Sequence, residues 1–357
     1  MTVLADANRS VVLAERPAAT SAAPIAPREA DFALVESALA APGPGEVLLE
    51  NLYLSLDPYM AAYLLGQHPL GVAVEARVAS RVVASRNPAL APGDLVWGFF
   101  GWEDYTLLPA SLRDRKGYSV LPNRIDPARW PPRAPFSNAL SVLGMPGLTA
   151  HVGLVDIARP RPGETVFVSS AAGALGQIVG QIARIAGCRV VGSAGGPAKV
   201  AYLEALGFDA AFDYRAAEDL EATLRRHCAD GIDIYFDNVG GATLDAALAL
   251  ANDHARFPLC GMISTYGEGG PEGVVNMFLA VRKRITLTGF TIYDHYPGRM
   301  AAYLDTMIGW MRAGEVRYTE TIVEGLENLP AAFIAMLAGR HGIGKCLVKL
   351  APDPLQD

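Results

Sequence analysis

The stretch Ser169-Ser-Ala-Ala-Gly-Ala-Leu-Gly-Gln177 lies between the apolar run Thr165-Val-Phe-Val168 and the amphipathic run from Gln177 to Ala186. Isoleucines recur in the amphipathic run at three- and four-residue spacing, which predicts a helix with one buried face. The apolar run predicts a buried strand. Small residues between strand and helix let backbone N–H groups approach a phosphate, and the positive end of the helix dipole attracts it. This stretch therefore predicts a strand–turn–helix unit that binds the pyrophosphate of a dinucleotide.

The turn departs from the G-x-G-x-x-G pattern at one position. Ala171 stands in place of the first glycine, and Gly173 and Gly176 occupy the other two. A motif that lacks a glycine is a weak signal by itself. Here a predicted strand precedes it and a predicted helix follows it, which is the arrangement that phosphate binding requires. A tight turn or a site for another nucleotide ligand is the alternative.

Strands and helices alternate along the chain after this turn. Apolar runs predict further strands at 189–193, 210–213, 232–237, 257–263 and 285–290. Helices are predicted at 197–206, 299–313 and 329–337, and a last strand at 345–350. This alternation indicates an α/β fold with a doubly wound parallel sheet.

The N-terminal region has a different residue pattern. Val47-Leu-Leu-Glu-Asn-Leu-Tyr-Leu54 is β-prone, and residues 76–83 alternate between apolar and polar side chains. Pro- and Gly-containing turns separate such runs, which predicts an antiparallel barrel or sandwich. Residues 113–135 are rich in proline and arginine and predict an exposed loop. The apolar stretch 139–158 is interrupted by Pro146 and predicts a buried segment, not a membrane span.

Composition excludes several function classes. The 357 residues suit two domains, and 30 basic against 37 acidic side chains give a net charge of −7, which disfavours nucleic-acid binding. No basic start is followed by an apolar run, so we expect neither a secretory signal nor a membrane partner. The four cysteines are far apart, which predicts reduced thiols in the cytoplasm and no metal site.

The second strand of the α/β half indicates which cofactor binds. An enzyme that uses NAD usually carries an acidic residue there for the ribose 2′-hydroxyl. Here the strand ends Val191-Gly-Ser-Ala-Gly-Gly196, without an acid, and Lys199 follows. An ammonium group without a carboxylate suits a 2′-phosphate, so the sequence favours NADPH. Alternatively, Lys199 is a solvated lysine at a helix start.

Several segments resemble one group of proteins. They are Leu54-Ser-Leu-Asp-Pro-Tyr-Met60, Gly101-Trp-Glu-Asp-Tyr105, Leu143-Gly-Met-Pro-Gly-Leu-Thr-Ala150, Tyr235-Phe-Asp-Asn-Val-Gly-Gly241, Cys260-Gly-Met-Ile-Ser-Thr-Tyr266 and Gly289-Phe-Thr-Ile292. They resemble the zinc-independent medium-chain dehydrogenases/reductases that include leukotriene 12-hydroxydehydrogenase/15-oxoprostaglandin 13-reductase and the alkenal double-bond reductases.

The resemblance implies a domain organisation. A β-rich, barrel-like (GroES-like) catalytic domain would take residues 1–140, and a Rossmann NADPH-binding domain would take residues 141–320. Residues 321–357 would return to the catalytic domain. A homodimer is the family's usual assembly.

The resemblance also implies site residues. The cofactor NADPH would contact Gly173, Ala174, Leu175, Gly176, Lys199, Tyr214, Asn238, Cys260, Gly261, Ile263, Ser264, Thr265, Tyr266, Phe290, Thr291, Ile292, Met145 and Thr149. The family transfers a hydride to the β-carbon of an α,β-unsaturated aldehyde or ketone. The enolate that forms needs a hydrogen-bond donor in a dry pocket. Tyr266 matches the family position for that donor, and Tyr59 is a second candidate. Each tyrosine could instead serve only in packing or in shaping a turn.

Several features depart from the family pattern. Ala61 stands where an arginine often follows the Asp-Pro-Tyr-Met run, and Gly342 stands where an asparagine contacts the cofactor. Residues 113–135 are longer than the corresponding segment usually is. These departures concern substrate size and cofactor affinity. The alternatives to a double-bond reductase are a quinone or carbonyl oxidoreductase on the same scaffold and a non-catalytic NADPH-binding protein.

Overall fold

The computed structural model describes residues 6–17, 27–61, 67–266 and 273–356, with the backbone alone at Pro122, Thr265 and Tyr266. Its N-terminal part is built of strands, as predicted. Strands β1 (Ala7–Leu13) and β2 (Phe32–Ala38) pair antiparallel. Five more strands belong to a second, seven-stranded sheet: β3 (Val47–Ser55), β4 (Glu75–Ser85), β5 (Leu95–Gly101), β6 (Tyr105–Leu108) and β7 (Arg124–Ile125).

A third sheet lies between the predicted boundaries at residues 140 and 320. Its six parallel strands are β8 (Thr165–Val168), β9 (Arg189–Ala194), β10 (Ala210–Asp213), β11 (Ile232–Phe236), β12 (Ala251–Leu259) and β13 (Thr286–Gly289). Their spatial order is β10-β9-β8-β11-β12-β13, so the strand order reverses beside β8. This is the doubly wound topology that the alternating sequence predicts, and such sheets bind ligands at the reversal point.

The last segment of the chain returns to the N-terminal sheet. Strand β14 (Glu320–Glu324) runs parallel to β15 (Lys345–Lys349), and β15 pairs antiparallel with β3. Leu347 lies opposite Ser55 in that register and is fully buried. The seven-stranded sheet therefore uses strands from both ends of the chain. The domain boundaries themselves stay predictions.

The described helices connect these sheets and flank them. They are α1 (Met145–His151), which continues as the π-helix Val152–Ala158, α2 (Gly176–Ile185), α3 (Pro197–Ala205), α4 (Leu220–His227), α5 (Gly241–Leu250), α6 (Phe278–Arg282), α7 (Met300–Arg312) and α8 (Leu329–Leu337). The predicted helix positions are confirmed to within a few residues. The stretch 139–158 is largely buried, as expected, and among the described helices none has the length and apolarity that crossing a bilayer requires.

Two local predictions are wrong. The strand predicted at 257–263 ends at Leu259, because the N–H groups of Cys260 and Gly261 both donate to the Asp237 carbonyl and turn the chain away from the sheet. Residues 113–135 are not simply an exposed loop. Val120 is fully buried and Trp130 is 8% exposed, so apolar side chains spaced through this polar stretch anchor it to the core.

Candidate active site

A cavity of about 340 Å³ lies at the carboxyl edge of the six-stranded sheet. The ends of β8, β9 and β11 form one side of it, and the segment that follows α8 forms the other. Its lining is Ser170, Ala172, Gly173, Ser193, Ala194, Gly195, Lys199, Tyr214, Arg215, Val239, Thr243, Ile263, Ser264, Met336, Leu337, Ala338, Gly339 and His341. We call it the cofactor cavity. None of these residues is acidic, so the described part of the cavity wall carries no carboxylate.

The phosphate-binding turn closes tightly at the start of α2. A Cβ on Gly176 would lie 2.5 Å from the Ala171 Cα and from the Ser170 carbonyl oxygen, so only glycine fits there. Ala171 is tolerated in place of the first glycine because Gly192 of β9 faces it; a Cβ on Gly192 would lie 2.9 Å from the Ala171 Cβ. The missing glycine of the motif is thus offset by a glycine on the neighbouring strand.

The C-terminal segment is attached directly to this turn. The Gly344 N–H donates to the Ala172 carbonyl at 2.9 Å, and Gly173 and Gly344 form a β-bridge. Gly344 has φ = 79°, and a Cβ on it would lie 1.8 Å from the Thr319 carbonyl oxygen. The backbone contact at Gly344 brings His341 and Gly339 to the side of the cavity opposite the turn.

Cationic and aromatic groups gather at one end of the cofactor cavity. Lys199 of α3 and Tyr214 line it, as the sequence predicts, and the Arg215 guanidinium lies 5.8 Å from the centre of the Tyr214 ring. Burial, and secondarily the charge of Arg215, lower the pKa of Lys199. A phosphate bound here would replace water around these cations. Lys199, Tyr214 and Arg215 therefore fit the 2′-phosphate of NADPH.

Sequence reasoning missed two members of this group, Arg215 and His341. Arg215 directly follows Tyr214, so its charge was a signal that could have been used. His341 precedes Gly342, the position where the family's asparagine is absent. Burial first, and then the charges of Lys199 and Lys345, lower the pKa of His341 to about 4. The imidazole is therefore neutral near neutral pH, and its Nδ1 has no hydrogen-bond partner within the described residues.

The remaining predicted cofactor residues divide into three groups. Ile263 and Ser264 line the cavity, and the Ser264 hydroxyl donates to the Val239 carbonyl at 2.6 Å. Asn238 braces the turn, since its Nδ2 donates to the Ser169 carbonyl at 2.9 Å. The third group does not belong to the lining: Ala174, Leu175, Gly176, Cys260, Gly261, Phe290, Thr291, Ile292, Met145 and Thr149. The side chains of Thr265 and Tyr266 lie outside the described residues, so Tyr266 stays a prediction.

Tyr59 does not line the cofactor cavity; it lines a second cavity, of about 330 Å³, with Phe99, Tyr118 and Tyr293, which we call the aromatic cavity. The Tyr59 ring is 5.5 Å from the buried Arg77 guanidinium. Asp57 holds Arg77 at 3.5 Å and Lys345 at 3.0 Å. Burial alone would raise the pKa of Asp57, but Lys345 and Arg77 lower it below its usual value. The sequence does not indicate this charge cluster, because its members come from three distant segments.

Across the described part of the chain, no group of three or more His, Cys, Asp or Glu side chains is arranged to hold a metal ion. All four cysteines are free, and burial is the main cause that raises the pKa of each thiol.

Two domain families and several known proteins match this chain. Residues 174–308 match the domain family described as "Zinc-binding dehydrogenase", and residues 9–113 match "N-terminal domain of oxidoreductase". A 2-alkenal reductase (NADP(+)-dependent) of Nicotiana tabacum is 40% identical over 92% of this chain and 94% of its own length. Prostaglandin reductase 1 of Rattus norvegicus is 42% identical over 90% of this chain and 95% of its own length.

A solved structure shares the fold along nearly the whole chain. CurA of Vibrio vulnificus, crystallised in complex with NADPH, is 39% identical, with a TM-score of 0.83 over 96% of this chain and 99% of that one. The protein belongs to the medium-chain dehydrogenase/reductase family, in the group that contains the alkenal double-bond and prostaglandin reductases.

Proposed function

We propose that this protein is an NADPH-dependent reductase of the carbon–carbon double bond of α,β-unsaturated aldehydes and ketones. The observation that carries the proposal is the cofactor cavity, which presents Lys199 and Arg215 at one end and no carboxylate among its described lining residues. Relatives named 2-alkenal reductase, prostaglandin reductase, curcumin reductase and (+)-pulegone reductase support the reaction class.

The residues that would hold NADPH follow from the cavity. The N–H groups of the turn around Gly173 and the N-terminus of α2 would hold the pyrophosphate. Lys199, Tyr214 and Arg215 would hold the 2′-phosphate, since cations and phenols donate hydrogen bonds to phosphate oxygens. The other cofactor contacts implied by the family resemblance remain part of the proposal, from Asn238 through the 260–266 segment to residues 290–292, Met145 and Thr149.

The chemistry needs a donor for the developing enolate. When bound, NADPH supplies a hydride to the β-carbon, and the carbonyl oxygen becomes negative. A preorganised hydroxyl aimed at that oxygen stabilises the charge. Tyr266 is the proposed donor and Tyr59 the second candidate. Tyr59 is 37% exposed, but loss of water around its hydroxyl still raises its pKa above the ordinary value despite the nearby Arg77, so the phenol keeps its proton and can donate.

The proposed function is tested with purified protein, NADPH, a set of alkenals and enones, and a quinone. We expect saturated aldehydes and ketones, identified by mass spectrometry, with NADPH preferred over NADH. Allylic alcohols or a hydroquinone alone would replace the proposal by the carbonyl or quinone alternative. Tight NADPH binding without turnover of any acceptor would leave a cofactor-binding protein.

We also propose a homodimer that forms through the β13 edge of the six-stranded sheet. Beside that edge, Val275, Phe278 and Val281 are 87%, 69% and 70% exposed. Exposed apolar patches and unpaired strand edges are typical interaction surfaces. A two-fold axis at β13 would pair the strand with its own copy and cover α6 on both chains.

The homodimer is tested by light scattering after size-exclusion chromatography. Val281→Asp should shift the mass from dimer to monomer, because it places a charge in the covered patch. Leu70→Asp, at a residue that is 51% exposed elsewhere, is the control and should stay dimeric. A monomeric wild-type protein contradicts the proposal. The cytoplasmic location expected from the free thiols stays a prediction.

A further inference from the structure

The proposed function leaves one titratable side chain of the cofactor cavity without a role. His341 lines the cavity in the segment that follows α8. The contact between Gly344 and the phosphate-binding turn fixes that segment in place. The His341 Nδ1 is buried and has no hydrogen-bond partner within the described residues. A buried polar atom without a partner is costly, so in a ligand cavity it indicates a group whose hydrogen bonding the ligand completes.

Positive charges from three separate segments lie around His341. The charges of Lys199 in α3 and of Lys345 in β15 both act on its imidazole and disfavour the protonated ring. Arg215, which also lines the cavity, reaches the segment of His341, since its Nη2 donates to the Gly339 carbonyl at 3.4 Å. The imidazole therefore belongs to a cluster of cations.

Few groups oppose these cations before a cofactor binds. Tyr214 is the remaining titratable residue of the described lining, which holds no carboxylate. Asp57 pairs with Lys345 at 3.0 Å, yet Lys345 still lowers the pKa of His341. The Met336 carbonyl, near the end of α8, favours the protonated ring. Burial and the two lysines outweigh it and lower the pKa of His341 to about 4, so the ring is neutral.

A phosphate group in this cavity reverses the balance. A phosphate monoester carries a charge of about −1.5 to −2 near neutral pH. An anion within hydrogen-bond distance favours the charged form of an imidazole. The pKa of His341 should therefore return toward its ordinary value of 6.5. The neutral ring has one N–H donor, whereas the imidazolium has two, so only the protonated ring offers a donor from both nitrogens.

We propose that His341 takes up a proton when NADPH binds and, as an imidazolium, holds the 2′-phosphate together with Lys199 and Arg215. The proton comes from the solvent and returns to it when the cofactor leaves. NADH lacks the 2′-phosphate and should bind without this proton. His341 thus favours NADPH over NADH, and its contribution grows as the pH falls. The asparagine that the family pattern has at Gly342 would give no such dependence, because an amide does not titrate.

Proton uptake is measured directly by calorimetric titration of NADPH at a pH of about 6, in buffers that differ in ionisation enthalpy. We expect the wild-type protein to take up about half a proton more per NADPH than His341→Gln at that pH. Glutamine is polar but does not titrate, so proton exchange by the phosphate itself cancels in this comparison. His254→Asn changes an exposed histidine outside the cavity and should match the wild-type protein.

The same linkage should appear in the affinity for the cofactor. We expect the ratio of the NADPH Kd of His341→Gln to that of the wild-type protein to be about fourfold larger at a pH of about 6 than at about 8. The corresponding ratio for NADH should not change with pH. Fluorescence titration gives these constants, and circular dichroism confirms that the variants fold.

The inference is overturned by equal proton uptake in the wild-type protein and His341→Gln, by the same difference with NADH, or by an affinity ratio that does not change with pH. Nuclear magnetic resonance of histidine-labelled wild-type protein tests it without a variant. One histidine should titrate well below 6.5 in the free protein and closer to 6.5 with NADP⁺, but not with NAD⁺. An unchanged titration overturns the inference.

These measurements contain no enal or enone, so they are independent of the proposed reaction. A protein that shows the proton uptake but reduces no acceptor would overturn the reductase function and leave this inference standing. A protein that reduces enals without the proton uptake would do the opposite. Absence of NADPH binding would overturn both.

Discussion

The cofactor cavity and the aromatic cavity are built in opposite ways. The cofactor cavity is formed by the ends of neighbouring parallel strands and by the C-terminal segment 336–341, and its described wall carries the cations Lys199 and Arg215. The aromatic cavity takes Tyr59, Phe99, Tyr118 and Tyr293 from segments far apart in the sequence. The first is suited to a ligand with a fixed charge pattern, and the second to a ligand recognised by shape. Cofactor choice and substrate choice can therefore vary independently.

The largest expected effect decides which of the two tyrosines, Tyr266 or Tyr59, supplies the enolate donor. Tyr266→Phe should lower kcat about 100-fold, because removal of one preorganised oxyanion donor has that size of effect. Tyr59→Phe should lower kcat about tenfold or less, in keeping with a secondary donor. Steady-state rates at saturating NADPH measure both. If Tyr59→Phe instead has the larger effect on kcat, Tyr59 is the enolate donor.

The next effect concerns the charge at the end of the cofactor cavity. Lys199→Ala should weaken NADPH binding by about 10- to 100-fold, since a hydrogen bond to a charged group contributes about 1.5–3 kcal/mol. NADH, which lacks the 2′-phosphate, should bind as before. Fluorescence titration gives both dissociation constants, and Lys116→Ala in the aromatic cavity is the matched control. An equal loss of affinity for NADPH and NADH would show that Lys199 is only a surface charge.

The smallest effect is a pH dependence that belongs to the cofactor cavity alone. The pKa of His341 is about 4 in the folded protein, against an ordinary value of 6.5. The unfolded chain therefore binds more protons between these values, and the free energy of unfolding falls as the pH falls through that window. His341→Gln should recover about 1 kcal/mol at a pH of about 5, an estimate reduced for partial solvent exposure.

Urea denaturation at neutral and acidic pH measures this change. The exposed His254 offers a control, His254→Asn, since asparagine accepts the left-handed backbone (φ = 64°) at that position. A loss of stability on acidification that is the same in the wild-type protein and in His341→Gln would show that other groups cause it.

Local patterns predicted much of this molecule. The strand–turn–helix around Gly173 and the alternation after it indicate the parallel sheet, because hydrophobic periodicity and turn residues act over short distances. The family resemblance implies that Lys199 and Tyr214 hold the same phosphate, and both line one cavity. The strand at 257–263 was misplaced because a long-range contact, from Cys260 to the Asp237 carbonyl, ends it. The pattern of apolar and polar residues does not indicate such a contact.

By itself, the sequence determined the doubly wound parallel sheet, the strand–turn–helix around Gly173 and the choice of cofactor. Each of these depends on residues that are neighbours in the chain. Only the tertiary structure decided that Gly192 compensates for Ala171, that His341 joins the cofactor cavity, and that Arg77 lies behind Tyr59. The physical reason is the same in all three cases. Burial and electrostatic contact act through space: the pairing of β9 with β8 brings Gly192 to Ala171, and the pairing of β15 with β3 brings the C-terminal segment to the N-terminal sheet.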